Sequence, residues 1–371
     1  MKHSGQWLVA SGQRLLALLC LTALTLSAFA QQPVSTPPAS PAQARPAGRG
    51  EAITLAPVTK RNTDLESRLK AVIGTSAGVW GVSVRHVERG EAAGVNDTQK
   101  FEMASVFKVG VLATLYQQAE QGKVKLDERV TFDHPERYFG SGILATLKPG
   151  LQPTVYDLAV LMITVSDNAA TDTLCDLVGI PNVNARLGQL GVEGQRIKYC
   201  TRGLILAAAG LGAPEYQSLT RQNMGDALGK FTAEQRRANV EQYIKDCGNC
   251  STPEAMTTLL AKILAGEAGN QDSTQQMLRI LGEQHFNERL PKWIPGRVLH
   301  KTGSLGSPYW VDNDCGIVFL PGGQHVIVSV FGHGADWDID QPQRKYASTT
   351  ADDTIGAIGK VVWDYYANRS N

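Results

Sequence analysis

A serine and a lysine three residues apart, Ser105 and Lys108, stand at the start of an apolar helical run. Side chains at this spacing share one face of a helix, so the hydroxyl lies within reach of the amine. Burial lowers the pKa of an amine, and an uncharged amine can take the proton of a neighbouring hydroxyl and so create a nucleophile. When such a pair stands alone, a capping serine beside a surface lysine is the commoner interpretation. The rest of the chain must decide between that interpretation and a catalytic pair.

Two further polar motifs follow, Ser-Asp-Asn at 166–168 and Lys-Thr-Gly at 301–303. Each has an ordinary structural explanation on its own: a helix N-cap for Ser166, turn chemistry for Asn168, and a charge on an edge strand for Lys301. Any one of these motifs arises often by chance. The three in this order, each in its own element, favour a catalytic interpretation of the set.

The motifs are positioned by alternating helical and extended patterns in the chain. Apolar periodicity predicts helices over 64–73, 105–121, 155–165, 169–178, 181–190, 254–265 and 351–367, and the polar segment 231–245 is also predicted to be helical. Strands are predicted over 79–87, near 94, and over 297–302, 310–320 and 325–331. This order predicts a sheet built from both ends of the chain, with a helical segment inserted between them.

With their flanking residues, the motifs resemble those of the serine β-lactamase and penicillin-binding protein superfamily, and of class A β-lactamases most closely. The stretches that carry the resemblance are FEMASVFKV, SDNAATDTL, STPEAM and HKTGS. The resemblance covers residues 62–371, which it implies form one catalytic domain. It implies an α+β fold: a lobe of antiparallel sheet with flanking helices, and an all-helical lobe at roughly 105–290 inserted in it. The site would lie in the cleft between the lobes.

The resemblance implies acyl-transfer chemistry for the first two motifs. Ser105 would attack the strained lactam carbonyl and form an acyl-enzyme, while Lys108 would take or relay its proton. Ser166 would pass a proton to the leaving nitrogen. The apolar neighbours of Lys108 argue against a surface ion pair for this lysine.

Substrate binding is the implied role of the remaining motif residues. Asn168 would hold the side-chain amide of the substrate, Lys301 would hold its carboxylate, and the backbone N–H groups of Ser105 and Ser304 would form the oxyanion hole. The implied substrate-binding residues are Asn168, Lys301, Thr302, Gly303 and Ser304. No cofactor is needed, and the sequence contains no cluster of metal ligands.

The chain departs from class A where those enzymes carry a glutamate, usually in Glu-x-x-Asn, that activates the deacylating water. The matching stretch at 198–204 reads KYCTRGL and contains neither an acidic residue nor asparagine. Glu193 and Glu215 lie nearby and are candidates to replace it, but an ordinary solvated glutamate is the alternative for each. The interval between Asn168 and Lys301 is also long for the family, which predicts an insertion.

The sequence therefore supports acylation better than deacylation, and three functions stay open. The first is a β-lactamase that turns over its substrate. The second is a penicillin-binding peptidase or esterase that uses the same serine. The third is a binder that acylates and then releases its acyl group slowly.

The N-terminus predicts export. Basic residues precede an apolar run at 15–29, and Ala-Phe-Ala at 28–30 is a small-x-small cleavage site. Residues 1–30 are therefore predicted to be a signal peptide, and residues 31–61, rich in Pro and Ala, a disordered linker. We expect a periplasmic or secreted protein without a membrane span after cleavage, although an uncleaved anchor is the alternative.

Composition and charge limit the partners. The chain has 371 residues, 43% of them hydrophobic, so it can bury a large core. Its net charge of +1 offers no strongly basic surface for nucleic acid. The expected partner is a small-molecule β-lactam substrate, and the expected state is a monomer.

Removal of the signal peptide leaves five cysteines. In an oxidising compartment we predict one structural disulfide, joining Cys200 to Cys247 or Cys250, and at least one free thiol. The alternative is half of a zinc site at 247–250, although no second pair has matching spacing. The other two cysteines are Cys175 and Cys315.

Overall fold

Both ends of the chain contribute strands to the main sheet. The computed structural model describes residues 53–306, 309–335 and 347–368. The strands are β1 (Lys60–Arg61), β2 (Val79–His86), β3 (Glu91–Val95), β4 (Phe101–Glu102), β5 (Arg196–Ile197), β6 (Asn249–Ser251), β7 (Val298–Leu305), β8 (Tyr309–Phe319) and β9 (His325–Ala335). The main sheet has the order β1-β3-β2-β9-β8-β7, and its neighbours are antiparallel except for β1 with β3. A small sheet, β4-β6-β5, lies apart from it.

Helices make up most of the middle of the chain, so the architecture is α+β, as predicted. The helices are α1 (Thr63–Ile73), α2 (Lys108–Glu120), α3 (Val155–Thr164), α4 (Asn168–Val178), α5 (Ile180–Gln189), α6 (Thr201–Ala208), α7 (Met224–Leu228), α8 (Ala233–Lys245), α9 (Pro253–Leu264), α10 (Gln271–Gly282) and α11 (Ala347–Ala367). No helix in the described ranges is long and apolar enough to cross a membrane.

The two faces of the main sheet bury different cores. Side chains alternate between the faces of a strand. Along β9, Val328 and Val330 pack with α1 and α11, whereas Ile327 and Phe331 pack with the central helices. The helix pair α1 and α11 therefore covers one face, and the central helices cover the face that adjoins the polar motifs.

The long interval that predicts an insertion contains α6, α7 and α8, and we call residues 201–245 the insertion. Helix α8 begins with a capping box in which Thr232 and Gln235 satisfy each other's backbone N–H groups. The insertion has a small core of its own, formed by Leu206, Leu211 and Ala227 together with Phe139. This separate core stabilises the insertion, and the main core stays continuous beneath it.

The disulfide joins Cys247 to Cys250 at the end of α8. Their Cα atoms are 5.3 Å apart, within the range of a disulfide, so the predicted pairing of Cys200 with either of them is wrong. Cys200 instead lies beside Cys175 and shares a hydrogen bond with it. Cys175, Cys200 and Cys315 are free thiols, which confirms that at least one cysteine is unpaired.

Local differences from the predicted elements have physical causes. The helix predicted to begin at Ser105 begins at Lys108, because residues 104–107 form a 3₁₀ turn. Helix α10 has no counterpart in the prediction, although Met277, Ile280 and Leu281 lie on one buried face of it. The predicted signal peptide, 1–30, and the predicted linker as far as residue 52 lie outside the described residues. The described end of that linker is ordered: Ile53 and Leu55 pack against the main core, and Lys60–Arg61 form β1.

Candidate active site

The nucleophile candidate Ser105 is presented by a strained turn. The preceding residue, Ala104, has φ +44°, in the left-handed region that non-glycine residues rarely adopt. The amide of Asn313, from β8, holds this turn by donating to the carbonyl oxygens of Glu102 and Met103, each at 2.9 Å. Local strain that the surrounding structure maintains is frequent at functional sites.

A buried carboxyl, Glu102, lies behind this turn. It accepts hydrogen bonds from the backbone N–H groups of Ala104 at 3.3 Å and Asn249 at 3.0 Å, and from the Tyr243 hydroxyl at 3.1 Å. Burial raises the pKa of Glu102 to about 8. Because Tyr243 belongs to α8, the turn that carries Ser105 is bonded directly to the insertion.

Lys108 is fully buried and its amine is directed at the second motif. Its Nζ donates to the Ser166 carbonyl oxygen at 2.9 Å, to Ser166 Oγ at 3.1 Å and to Asn168 Oδ1 at 2.8 Å. Burial lowers the pKa of Lys108 to about 7, although the charges of Asp172 and Asp167 oppose that shift. A large fraction of this amine is therefore uncharged at neutral pH.

Lys301 approaches the same hydroxyl from the sheet. Its Nζ donates to Ser166 Oγ at 3.0 Å and to the Thr302 carbonyl oxygen at 2.8 Å. Burial, and next the neighbouring Lys108, lower the pKa of Lys301. A fully buried side chain is not the edge-strand charge that the sequence left open as an alternative. The three motifs therefore converge on one serine oxygen.

Asp167, rather than Ser166, caps helix α4. One carboxylate oxygen of Asp167 accepts the Ala170 N–H at 3.0 Å, and the other accepts the N–H groups of Ile143 at 2.7 Å and Leu144 at 2.8 Å. The N-cap interpretation of Ser166 is therefore wrong. Its backbone, at φ +53°, holds the hydroxyl between the two lysines instead of at the helix end.

The third motif packs its backbone against the nucleophile turn. A Cβ built on Gly303 would lie 2.6 Å from the Met103 carbonyl oxygen and 3.0 Å from the Ser105 backbone nitrogen. Only glycine permits this approach of β7. The next residue, Ser304, lines the same cleft as Ser105.

Gly303→Ala is expected to lower kcat/KM about 100-fold, the magnitude of a disturbed oxyanion hole. The added methyl must displace β7 or the nucleophile turn, and the overpacking should also lower the free energy of unfolding by about 1–3 kcal/mol. Acylation kinetics and urea unfolding measure the two effects. Gly188→Ala is the matched control, because a Cβ on this exposed helical glycine would meet no atom within 4 Å. An unchanged acylation rate for Gly303→Ala would contradict the proposed close approach.

Arg289 is a site residue for which the sequence carries no local signal. Its guanidinium donates to the Gly303 carbonyl oxygen at 2.9 Å and to Ser304 Oγ at 2.7 Å, and it forms ion pairs with Asp312 and Asp352. It thereby holds the end of β7 that faces Ser105. The partners lie 14 to 63 positions away in the sequence, so no local pattern could have revealed them.

The motifs open into a cleft of about 690 Å³. Ser105, Ser166 and Asn168 line one part of it, and residues 302–306 line the adjoining edge. Residues of the insertion line another wall, and residues 285–289 also line the cleft. A volume of this size accommodates a drug-sized ligand.

The stretch matched to the class A glutamate loop reaches this cleft but presents a threonine. Thr201 lines the cleft as the first residue of α6, and its buried Oγ1 has no hydrogen-bond partner among the described residues. Asp172 secures this helix end by accepting the Arg202 N–H at 3.0 Å and 3.3 Å. Burial raises the pKa of Asp172 to about 7.

Of the two glutamates considered from the sequence, Glu193 does not supply a carboxyl to the cleft. Glu193 is exposed on the surface and does not line the cleft, and the Glu215 side chain lies outside what the structure describes. Among the described residues, the acidic side chains that line the cleft are Glu288 and Asp352. Asp352 is engaged by Arg289, and Glu288 is largely exposed near Lys292.

Known proteins share this fold and are similar to this chain in sequence. The sequence profile of the β-lactamase enzyme family matches residues 64–366. The β-lactamase CARB-3 of Pseudomonas aeruginosa is 31% identical over 310 residues, covering 82% of this chain and 91% of that protein.

Solved structures agree with the sequence comparisons. A β-lactamase from Sphaerobacter thermophilus has 25% identity and a TM-score of 0.62, with 82% of this chain and 97% of that chain covered. The structure of PBP-A, at 22% identity and a TM-score of 0.65, covers 85% of this chain and all of the other, and supports the fold alone. The chain therefore belongs to the β-lactamase enzyme family.

Proposed function

We propose that this protein hydrolyses β-lactams through an acyl-enzyme on Ser105. The observation that carries the proposal is the convergence of the Lys108 and Lys301 amines on Ser166 Oγ, in the cleft that Ser105 also lines. We also propose that the protein acts as a monomer in the periplasm or outside the cell, after removal of residues 1–30.

Acylation follows from the protonation states of these groups. Uncharged Lys108, one turn along from Ser105, accepts the serine proton as Oγ attacks the lactam carbonyl. Lys108 then donates to Ser166, whose own proton passes to the lactam nitrogen as the C–N bond breaks. Lys301 holds the substrate carboxylate, and that negative charge favours its ammonium form.

Release of the acyl group requires a base for the attacking water. Thr201 lies in the stretch matched to the class A glutamate, so we assign this step to Lys108, whose Nζ donates to Ser166 Oγ at 3.1 Å. Water would attack the ester carbon, its proton would pass to Lys108 through Ser166, and the tetrahedral intermediate would collapse to return the proton to Ser105. We propose that this step limits turnover.

A binder that acylates and hardly turns over is the second candidate, favoured by the same threonine. Stopped-flow mixing with a chromogenic cephalosporin separates the candidates. Steady colour development after the first turnover supports the hydrolase. A stoichiometric burst with no further turnover favours the binder, and absence of both, with cleavage of a D-Ala-D-Ala peptide or an ester, favours a peptidase or esterase.

The acylation rate is expected to depend on Lys108 and therefore on pH. Because the uncharged amine is the reactive form and its pKa is about 7, kcat/KM should rise about tenfold per unit below pH 7 and level off above it. Acylation rates from about pH 5.5 to 8.5 at constant ionic strength measure this limb. Circular dichroism at each pH checks that the protein stays folded, and a flat profile on the acid side of pH 7 would exclude Lys108 as the titrating base.

A further inference from the structure

The insertion forms an apolar wall of the cleft, separate from the groups that would do the chemistry. The apolar side chains of this wall are Leu204, Ile205, Ala208, Met224, Leu228 and Val240. Ile205, Met224 and Leu228 also pack against the small core of the insertion, which keeps the wall in place without help from a substrate. Such a surface favours an apolar group of a ligand, because contact removes both from water.

One charged side chain, that of Arg236, lies among these apolar residues. Arg236, on α8, is half-buried and lines the same cleft. Its guanidinium donates to the Phe231 carbonyl oxygen at 3.2 Å, and no carboxylate among the described residues lies within ion-pair distance of it. Glu234, exposed on the same helix, interacts with it only at longer range.

Two other arginines, Arg237 and Arg289, are paired with carboxylates of the protein. Arg237, the next residue, pairs with Glu241 at 2.8 Å on the helix surface. Arg289, which also lines the cleft, is ion-paired with Asp312 and Asp352. A guanidinium that is partly desolvated and lacks a protein carboxylate binds an external carboxylate well, since its fork matches the two oxygens.

The apolar wall begins beside Asn168, because a Cβ built on Gly140 would lie 2.5 Å from Asn168 Nδ2 and 3.3 Å from Ile205 Cδ1. Asn168, the proposed contact for the side-chain amide, donates from Nδ2 to the Phe139 carbonyl oxygen at 2.8 Å. Phe139 belongs to the small core of the insertion, and the Arg202 guanidinium stacks over its ring at 5.3 Å. With Asn168 as the contact for that amide, the apolar wall is the surface next to a group attached beyond it.

We propose that the insertion selects β-lactams whose acyl side chain is an apolar segment ending in a carboxylate, and that Arg236 binds that carboxylate. The inference rests on the proposed acylation of Ser105. It concerns specificity, so Arg236 acts on the substrate side chain and takes no part in the bond-making steps.

Two penicillins with the same nucleus test the proposal. One carries a hexanoyl side chain, ending in a methyl group, and the other an adipoyl chain of equal length, ending in a carboxylate. The ratio of their acylation rate constants, which we call the carboxylate preference, is expected to favour adipoyl at least tenfold at about 50 mM salt. The preference should shrink at about 500 mM salt, because a partly exposed ion pair is screened.

Arg236→Gln should reduce this preference to within threefold of unity while leaving acylation by the hexanoyl compound within threefold of the unaltered protein. Arg236→Lys, which retains a charge, should restore part of the preference. Arg237→Gln is the matched control and should leave the preference unchanged. A preference that survives Arg236→Gln, or one that Arg237→Gln removes equally, would overturn the proposal.

A binding measurement keeps the proposal separate from the acylation chemistry. In a Ser105→Ala background no acyl-enzyme can form on that serine, and calorimetric dissociation constants for the two penicillins report binding alone. Adipoyl is expected to bind at least tenfold more tightly than hexanoyl when Arg236 is present, and the two should bind equally once Arg236→Gln is added. Equal affinities with Arg236 present would refute the inference, whereas loss of acylation with the affinity difference intact would refute only the proposed function.

Discussion

Ser105→Ala is expected to abolish covalent labelling by a fluorescent penicillin and to lower kcat/KM for a chromogenic cephalosporin by about 10³-fold or more. Alanine has no atom that can attack the lactam carbonyl, while the cleft and the oxyanion donors remain. Gel fluorescence measures labelling, and intact-protein mass spectrometry measures the added acyl mass. Because the half-buried Ser105 side chain makes no hydrogen bond among the described residues, thermal unfolding should be nearly unchanged.

Ser67→Ala is the control for a serine-to-alanine change away from the site, since Ser67 is exposed on α1 and far in sequence from the motifs. It should be labelled at the same rate as the unaltered protein. Labelling that persists in Ser105→Ala would assign the nucleophile to another residue. Ser166 would then be examined by the same substitution, because its hydroxyl also contacts Lys108.

Lys108→Met is expected to slow acylation about 10³-fold, within the range for loss of a general base. Methionine preserves the apolar stem but removes the amine, and Ser166 and Asn168 lose the donor that joins them. Lys108→Arg should fail to the same degree, because a guanidinium stays protonated at every pH of interest. Stopped-flow acylation rates measure both variants. Acylation by the arginine variant within tenfold of normal would mean that Lys108 supplies charge and not a base.

A second measurement on Lys108→Met is the pH dependence of its free energy of unfolding. It distinguishes a correctly folded variant from a misfolded one. The pKa of Lys108 is about 7 in the folded protein and near the ordinary value of about 10.5 when unfolded. Between these values the unfolded chain binds more protons, so Lys108 makes the free energy of unfolding rise with pH from about 7 to 10.5. Lys108→Met should flatten that rise, and Lys360→Met, at an exposed site on α11, should leave it unchanged.

The motifs and most of the helices could be predicted from sequence because each is a local pattern. The three residues 166–168 are adjacent, and the apolar stripe of α9 follows a Thr-Pro start that favours helix initiation. Ser105 and Lys108 are close enough that any helical turn brings them to one side. Such features depend on neighbours along the chain and need no knowledge of the tertiary fold.

Features that depend on distant partners could not be predicted in this way. Ser166 resembles an N-cap in sequence, yet its true environment comes from a lysine 58 residues earlier and another 135 residues later. Arg289 acquires its role only when β7, β8 and α11 come together around it. From the sequence alone, Cys250 could form a disulfide with any of several cysteines. The turn after α8 brings it within disulfide distance of Cys247, the nearest in sequence.

The absence of a glutamate at 198–204 was evident from the residue types alone. The sequence did not show which residue would line that part of the cleft instead, because the position of α6 depends on Asp172, a buried acid on a different helix. The same limitation applies to Arg236, whose segment has a weak apolar pattern and whose relation to the cleft arises from packing of the insertion.

The contact between Glu102 and Tyr243 makes the insertion part of the folding unit that holds Ser105. Two of the hydrogen bonds to this carboxyl come from α8 and the strand just after it, and the third comes from the turn before the nucleophile. Opening α8 would leave a buried acid with unmet partners, so local unfolding there should propagate to the reactive serine. A shortened chain without residues 201–245 would therefore lose the geometry of Ser105 as well as a wall of the cleft, and amide exchange at both places should share one opening free energy.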